Sequence, residues 1–131
     1  MFARWTPTLA TGIASMDEEH QGLFDLVNEL QETQKADMPR ESVAWIIDRL
    51  KNYALVHFMH EETLMERIDF PETEAHREMH RTFVLQVLDL EDRLTQGERN
   101  LVATLLDFLK GWLVAHISEQ DMRYVGWMQS H

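Results

Sequence analysis

The chain carries seven histidines and no cysteine, and the spacing of those histidines is its first sign of chemistry. His57 and Glu61 are four residues apart, as are His76 and His80. On a helix, a four-residue step returns to within about 40° of the same face, so each pair can grip one object. His116 is followed by Glu119 three residues on and Asp121 five on. Regular α-helical geometry favours Glu119, since a five-residue step swings about 140° away; Asp121 would serve only where the helix loosens or ends. Imidazole with carboxylate and no sulfur suits Fe, Zn, Cu or Ni, and carboxylates can bridge two hard, redox-active ions. One inward histidine is usually a core residue bonded to a carbonyl. With His20, five lie on inward stripes, and five with two carboxylates exceed the needs of one ion and fit two.

These residues need helices to position them. Four segments repeat with helical period. The first spans about 17–34, with His20, Leu23, Phe24, Val27 and Leu30 aligned and Asp17 as its expected N-cap. The second spans about 40–67, with Val43, Ile47, Leu50, Ala54, His57, Glu61 and Leu64 aligned, and Asp37-Met38-Pro39 is expected to open it. Asp69-Phe70-Pro71 is expected to open the third, about 72–94, which aligns His76, His80, Phe83, Val87 and Leu90. After the Thr95-Gln96-Gly97 break a fourth begins near Glu98, with Leu101, Leu105, Phe108, Leu109, Trp112 and His116 on its inner face; a short tail, 121–131, follows. Short connections predict an all-α, up-down-up-down antiparallel four-helix bundle with an N-terminal arm. A buried polar group without a partner costs roughly 1–3 kcal/mol. A shared polyvalent ligand is therefore the economical reason for polar residues on all four inward stripes.

The 131 residues suit one domain spanning 1–131, and 44% hydrophobic with 27% charged residues is a globular composition. Twelve Lys+Arg against 23 Asp+Glu give −11, which argues against nucleic acid or an anionic membrane as partner. The absence of cysteine excludes disulfides, thiolate metal sites and c-type haem attachment. The first residues have no apolar h-region, and no run approaches about 18 uninterrupted apolar residues, so membrane insertion is not expected and a cytoplasmic location is.

Taken in order, His20, His57-Phe58-Met59-His60-Glu61, His76-Arg77-Glu78-Met79-His80 and Trp112-Leu113-Val114-Ala115-His116-Ile117-Ser118-Glu119-Gln120-Asp121 resemble the hemerythrin family in its single-domain bacterial form. Trp5, Gly12-Ile13 and Asp17-Glu18-Glu19-His20 resemble its N-terminal signature. The resemblance implies two non-haem iron ions. His76, His80 and His116 would hold one and His20 and His57 the other, with Glu61, Asp121 and an oxo or hydroxo group bridging them. It selects Asp121 over Glu119 and leaves His60 and His131 outside the ligand set.

On that ligand count the three-histidine iron is closed and the two-histidine iron keeps one open position, where O2 would bind. Nitrogen-rich ligation with one open position favours reversible binding over O–O cleavage. The implied function is oxygen binding for carriage, storage or delivery to an oxygen-consuming enzyme. The alternatives are an O2 or redox sensor, or a peroxide- or NO-consuming di-iron protein. No general acid or base beyond the ligands is identifiable, which favours a binding protein over a catalyst. The resemblance places Leu113 over the open position. Trp112, Phe24, Phe58 and Ile117 join it as pocket candidates by their nearness to ligands, and Asp17, Gln21 and Glu119 are the candidates for orienting the ligand rings.

Overall fold

The computed structural model describes residues 2–98 and 100–131. Four long helical elements pack as a ring: α1 (Ala14–Lys35) against α2 (Arg40–Arg67), α2 against α3 (Thr73–Thr95), α3 against α4 (Leu101–Ala115), and α4 back against α1. This is the expected four-helix bundle, with no strand among the described residues.

The turn residues act at the helix ends before them. In α1 the N–H of Asp37 donates to the Gln34 carbonyl and that of Met38 to Thr33, with Asp37 at φ 50°. The same pair of bonds closes α2 at Asp69 and Phe70, and α3 at Gly97 and Glu98. Asp37 and Asp69 were expected to open the following helices. They instead supply the left-handed residue of a Schellman stop, a conformation that short polar side chains and glycine tolerate best. Pro39 then starts α2 with φ −58°.

Asp17 likewise departs from its expected place. Helix α1 begins at Ala14, and the Asp17 carboxylate, in its first turn, accepts the Thr11 N–H at 2.7 Å, the Thr11 hydroxyl at 2.8 Å and the Gly12 N–H at 3.3 Å. The arm is also tied at Ala3, whose N–H and carbonyl both bond the Asn28 amide at 2.8 Å.

The expected C-terminal tail is helical. After α4 the chain winds through a π-helical segment, His116–Asp121, into α5 (Met122–Ser130). Tyr124 and Val125 of α5 are buried with Met65 and Phe70, and that apolar contact explains why the helix continues. The rod Leu101–Ser130 is long and apolar enough to cross a membrane by length and composition alone. Its Leu105, Leu109, Leu113 and Ile117 are buried in the bundle.

Gly22 explains how closely α1 and α2 approach. A Cβ there would lie 2.1 Å from the Tyr53 hydroxyl oxygen and 2.6 Å from Cζ. Mid-helix glycine costs roughly 1 kcal/mol relative to alanine, so the ring contact must outweigh that loss. We expect Gly22→Ala to lower the unfolding free energy by about 1 kcal/mol through displacement of the ring. In a Tyr53→Leu background the same change should stabilise by a similar amount. Denaturant melts of the four proteins read the sign reversal, and destabilisation in both backgrounds would overturn the explanation.

Candidate metal centre

Each of the four bundle helices delivers its polar inward residues to one level. His20 comes from α1, His57 and Glu61 from α2, His76 and His80 from α3, and His116 and Asp121 from the two ends of the π segment. All seven are buried, with His20, Glu61 and Asp121 wholly inaccessible. Most of the apolar core, including Phe24, Phe58, Leu113 and Ile117, lies in one cluster, and Met65, Phe70, Tyr124 and Val125 form a second. Along α2 and α4–α5 the polar level falls between the two clusters.

The π segment brings Asp121, and not Glu119, beside His116. Its i→i+5 hydrogen-bond register returns the fifth residue to the starting face, so Asp121 meets His116 while Glu119 is exposed. The Asp121 Oδ1 atom lies 3.1 Å from His116 Nε2 and 3.0 Å from His76 Nε2, and Oδ2 lies 3.2 Å from His20 Nε2. Glu61 is placed similarly: Oε1 is 3.2 Å from His80 Nε2 and 3.5 Å from His57 Nε2, and Oε2 is 3.6 Å from His20 Nε2. Ligand-type atoms of Glu61, His76, His80, His116 and Asp121 lie within 4.8 Å of one another, and those of His20, His57 and Glu61 form a second such set.

Several of these close approaches are not hydrogen bonds. His20 Nε2, His76 Nε2, Glu61 Oε1 and both Asp121 oxygens are buried without a hydrogen-bond partner. Orphaned polar atoms normally cost stability. Here they converge on shared space, and several spacings match donors of one ion. An octahedral ion with bonds of about 2.1 Å holds adjacent donors about 3.0 Å apart. The donor set therefore fits a metal centre.

Outer bonds fix two of the rings. The His57 Nδ1–H donates to Glu19 Oε1 at 2.6 Å and the His80 Nδ1–H to Glu62 Oε2 at 2.9 Å. A carboxylate can only accept, so the proton sits on Nδ1 and the Nε2 lone pair faces inward. The Tyr124 hydroxyl donates to Glu61 Oε2 at 2.8 Å. The rings of Phe58 and His80 stack at 3.9 Å, and those of Trp112 and His116 at 4.2 Å.

Asp17, Gln21 and Glu119 bond none of the ligand rings: Asp17 holds the arm, and the other two are exposed. The residues missed were Glu19, Glu62 and Tyr124. Glu19 and Glu62 each sit next in sequence to an inward ligand, at the edge of the buried face of their helix, from which they reach a ligand histidine on the next helix. That flanking position was the available signal.

Without metal the cluster is strongly polarised. Burial pushes the His20 imidazole down, but Asp121 and Glu61 outweigh it and lift the ring to about 9. Burial and the Asp121 charge push Glu61 up, yet the neighbouring His20, His80 and His57 prevail and bring it to about 2. Asp121, also pushed up by burial, is held well below the usual carboxylate range by His116, His20 and His76. Burial, with the Glu61 and Asp121 charges, raises Tyr124 and keeps it a neutral donor.

The family profile "Hemerythrin HHE cation binding domain" matches residues 11–128. The chain belongs to the hemerythrin family. It is 32% identical over 127 residues to the bacteriohemerythrin of Stenotrophomonas maltophilia, across 97% of this chain and 82% of that one. The bacteriohemerythrin of Methylococcus capsulatus is 31% identical over 121 residues, covering 92% of each. A hemerythrin-like protein of Naegleria gruberi is 32% identical over 122 residues, across 93% of this chain and 90% of its own. The crystal structure of wild-type hemerythrin superposes with a TM-score of 0.89 at 29% identity, covering 98% of both chains. A leucine-to-alanine mutant of hemerythrin gives 0.87 at 29% identity, covering 95% of both. A hemerythrin domain implies a non-haem di-iron site, and this buried His/Glu/Asp cluster is a donor set able to hold metal.

Proposed function

We propose that this hemerythrin binds O2 reversibly at a di-iron centre. His76, His80 and His116 would hold one iron and His20 and His57 the other, with Glu61 and Asp121 between. The observation that carries this reading is the lopsided ring of buried donors. Three imidazoles stand on one side and two on the other, around two carboxylates that each face both sides. When bound, a di-iron pair supplies electrons to O2 and takes them back on release.

The chain's own residues shape the site for that exchange. Glu19 and Glu62 hold His57 and His80 with Nε2 inward, and Tyr124 steadies Glu61. Leu113, Phe24 and Ile117 contribute buried apolar side chains that exclude water on the core side of the donors. Phe58 and Trp112 lie flat against His80 and His116, so they support the three-histidine side of the pocket. Fewer protein donors on the His20/His57 side favour that side for O2. The role is that of a cytoplasmic carrier, store or local supplier to an oxygen-consuming enzyme.

Iron analysis should find two ions per chain, and anaerobically reduced protein should gain a visible absorption in air that disappears under argon. Irreversible oxidation would instead indicate a redox sensor or a peroxide- or NO-consuming protein. A single ion, or zinc at full occupancy, would overturn the di-iron reading.

A further inference from the structure

Two side-chain relays run outward from the centre, one on each flank of α2. On the α1 flank, Glu19 accepts from His57 Nδ1–H at 2.6 Å through Oε1 and meets His60 Nδ1 at 2.8 Å through Oε2. On the α3 flank, Glu62 accepts from His80 Nδ1–H at 2.9 Å through Oε2 and from Arg77 Nε–H at 3.0 Å through Oε1. The two carboxylates are matched in exposure, at 22% for Glu19 and 23% for Glu62, so solvent does not distinguish them. The third member of each relay does.

A guanidinium carries a permanent positive charge and neutralises part of the carboxylate it contacts. The Arg77 side chain also reaches Glu66 and Glu74, but those carboxylates are exposed at the rim and Glu62 is not. Glu19 faces the imidazole of His60, half open to solvent, and has no Lys or Arg among its bonded partners. A carboxylate that keeps more of its charge pulls harder on the Nδ1 proton and makes Nε2 a better donor. The shorter bond is indeed the one on the His57 side.

We propose that Glu19, backed by an imidazole where Glu62 is backed by a guanidinium, makes His57 the stronger donor and so compensates the two-histidine side for its missing third ring. Glu19 is thus a positioning residue for the weaker metal position, and His60 places no guanidinium behind it. The inference rests on the two-ion reading above.

The test is a Zn(II) titration of the metal-free protein against a chromophoric chelator at mildly alkaline pH, where ions displace ligand protons more readily. Wild type should take up two ions in a tighter and a weaker step. Glu19→Gln should weaken the weaker step by roughly 10- to 100-fold and spare the tighter one. Glu62→Gln should cost the tighter step clearly less than Glu19→Gln costs the weaker one. His60→Arg should weaken the weaker step several-fold, and His60→Gln, which adds no charge beside Glu19, should leave it within a factor of about two. In the metal-free protein, proton NMR should place the His57 Nδ1–H downfield of that of His80, moving upfield in His60→Arg.

Equal losses in Glu19→Gln and Glu62→Gln, or no response to His60→Arg, would overturn the proposal. A wild-type stoichiometry below two would overturn the two-ion reading itself. The NMR order needs no metal and would then still decide whether Glu19 polarises His57 more than Glu62 polarises His80.

Discussion

Glu61→Gln is expected to leave fewer than one metal ion per chain. The change keeps the shape of the side chain and removes the charge that faces His20, His57 and His80 together. An amide offers one oxygen where the carboxylate offers two, and its NH2 group would point either at the converging Nε2 atoms or at the Tyr124 hydroxyl. Outer partners of metal-bound histidines are already worth roughly 10- to 100-fold in affinity. Loss of a shared inner carboxylate should therefore exceed about 100-fold and affect both positions. Glu119→Gln is the matched control, because Glu119 is exposed, and should retain full metal content. Metal analysis after desalting reads both, with circular dichroism confirming the helices. Full occupancy in Glu61→Gln would remove that residue from the centre.

Removing the metal should both lower the melting temperature and make stability strongly dependent on pH. In the metal-free protein His20 is raised from 6.5 to about 9. Its contribution is complete below its unfolded value and is lost as pH rises through about 9. Glu61 is lowered from 4.5 to about 2, so its contribution is complete above 4.5 and is lost as pH falls through about 2. The metal-free form should thus be most stable between about pH 4.5 and 6.5 and weaken on the alkaline side. In the loaded protein an ion takes the place of the His20 proton, so loading releases protons and tightens as pH rises. Between about pH 7 and 9 the two forms should diverge, the metal-free melting temperature falling while the loaded one holds. Parallel thermal melts would show it. Parallel slopes would mean that His20 keeps its proton with metal present and is not a ligand.

Much of this was legible because helical period and ligand chemistry conflict so openly. Histidines and a glutamate on apolar stripes at four-residue spacing mark both the helices and the level at which they meet. The turns were misread because Asp37 and Asp69 satisfy the rules for opening a helix as well as those for closing one; the bonds from Met38 and Phe70 to carbonyls behind them settle it. The outer carboxylates were hidden for a different reason. Glu19 and Glu62 look like ordinary half-exposed acids on their own helices, and their partners lie on the next helix, where one-dimensional spacing cannot reach. Tyr124 was overlooked because the tail was not read as helix.

The wide turn at His116–Asp121 works as a one-residue frameshift in the order in which the last helix presents its side chains. A wheel drawn from Leu101 goes out of phase after His116; a wheel restarted at Asp121 puts Asp121, Tyr124 and Val125 together. Losing one residue between 117 and 120 would return the rod to a regular α repeat with Asp121 and Tyr124 still facing inward. Losing one between Asp121 and Tyr124 would rotate the phenol by about 100° and take its hydroxyl away from Glu61. The same deletion, a few residues apart, is absorbed in one place and disruptive in the other.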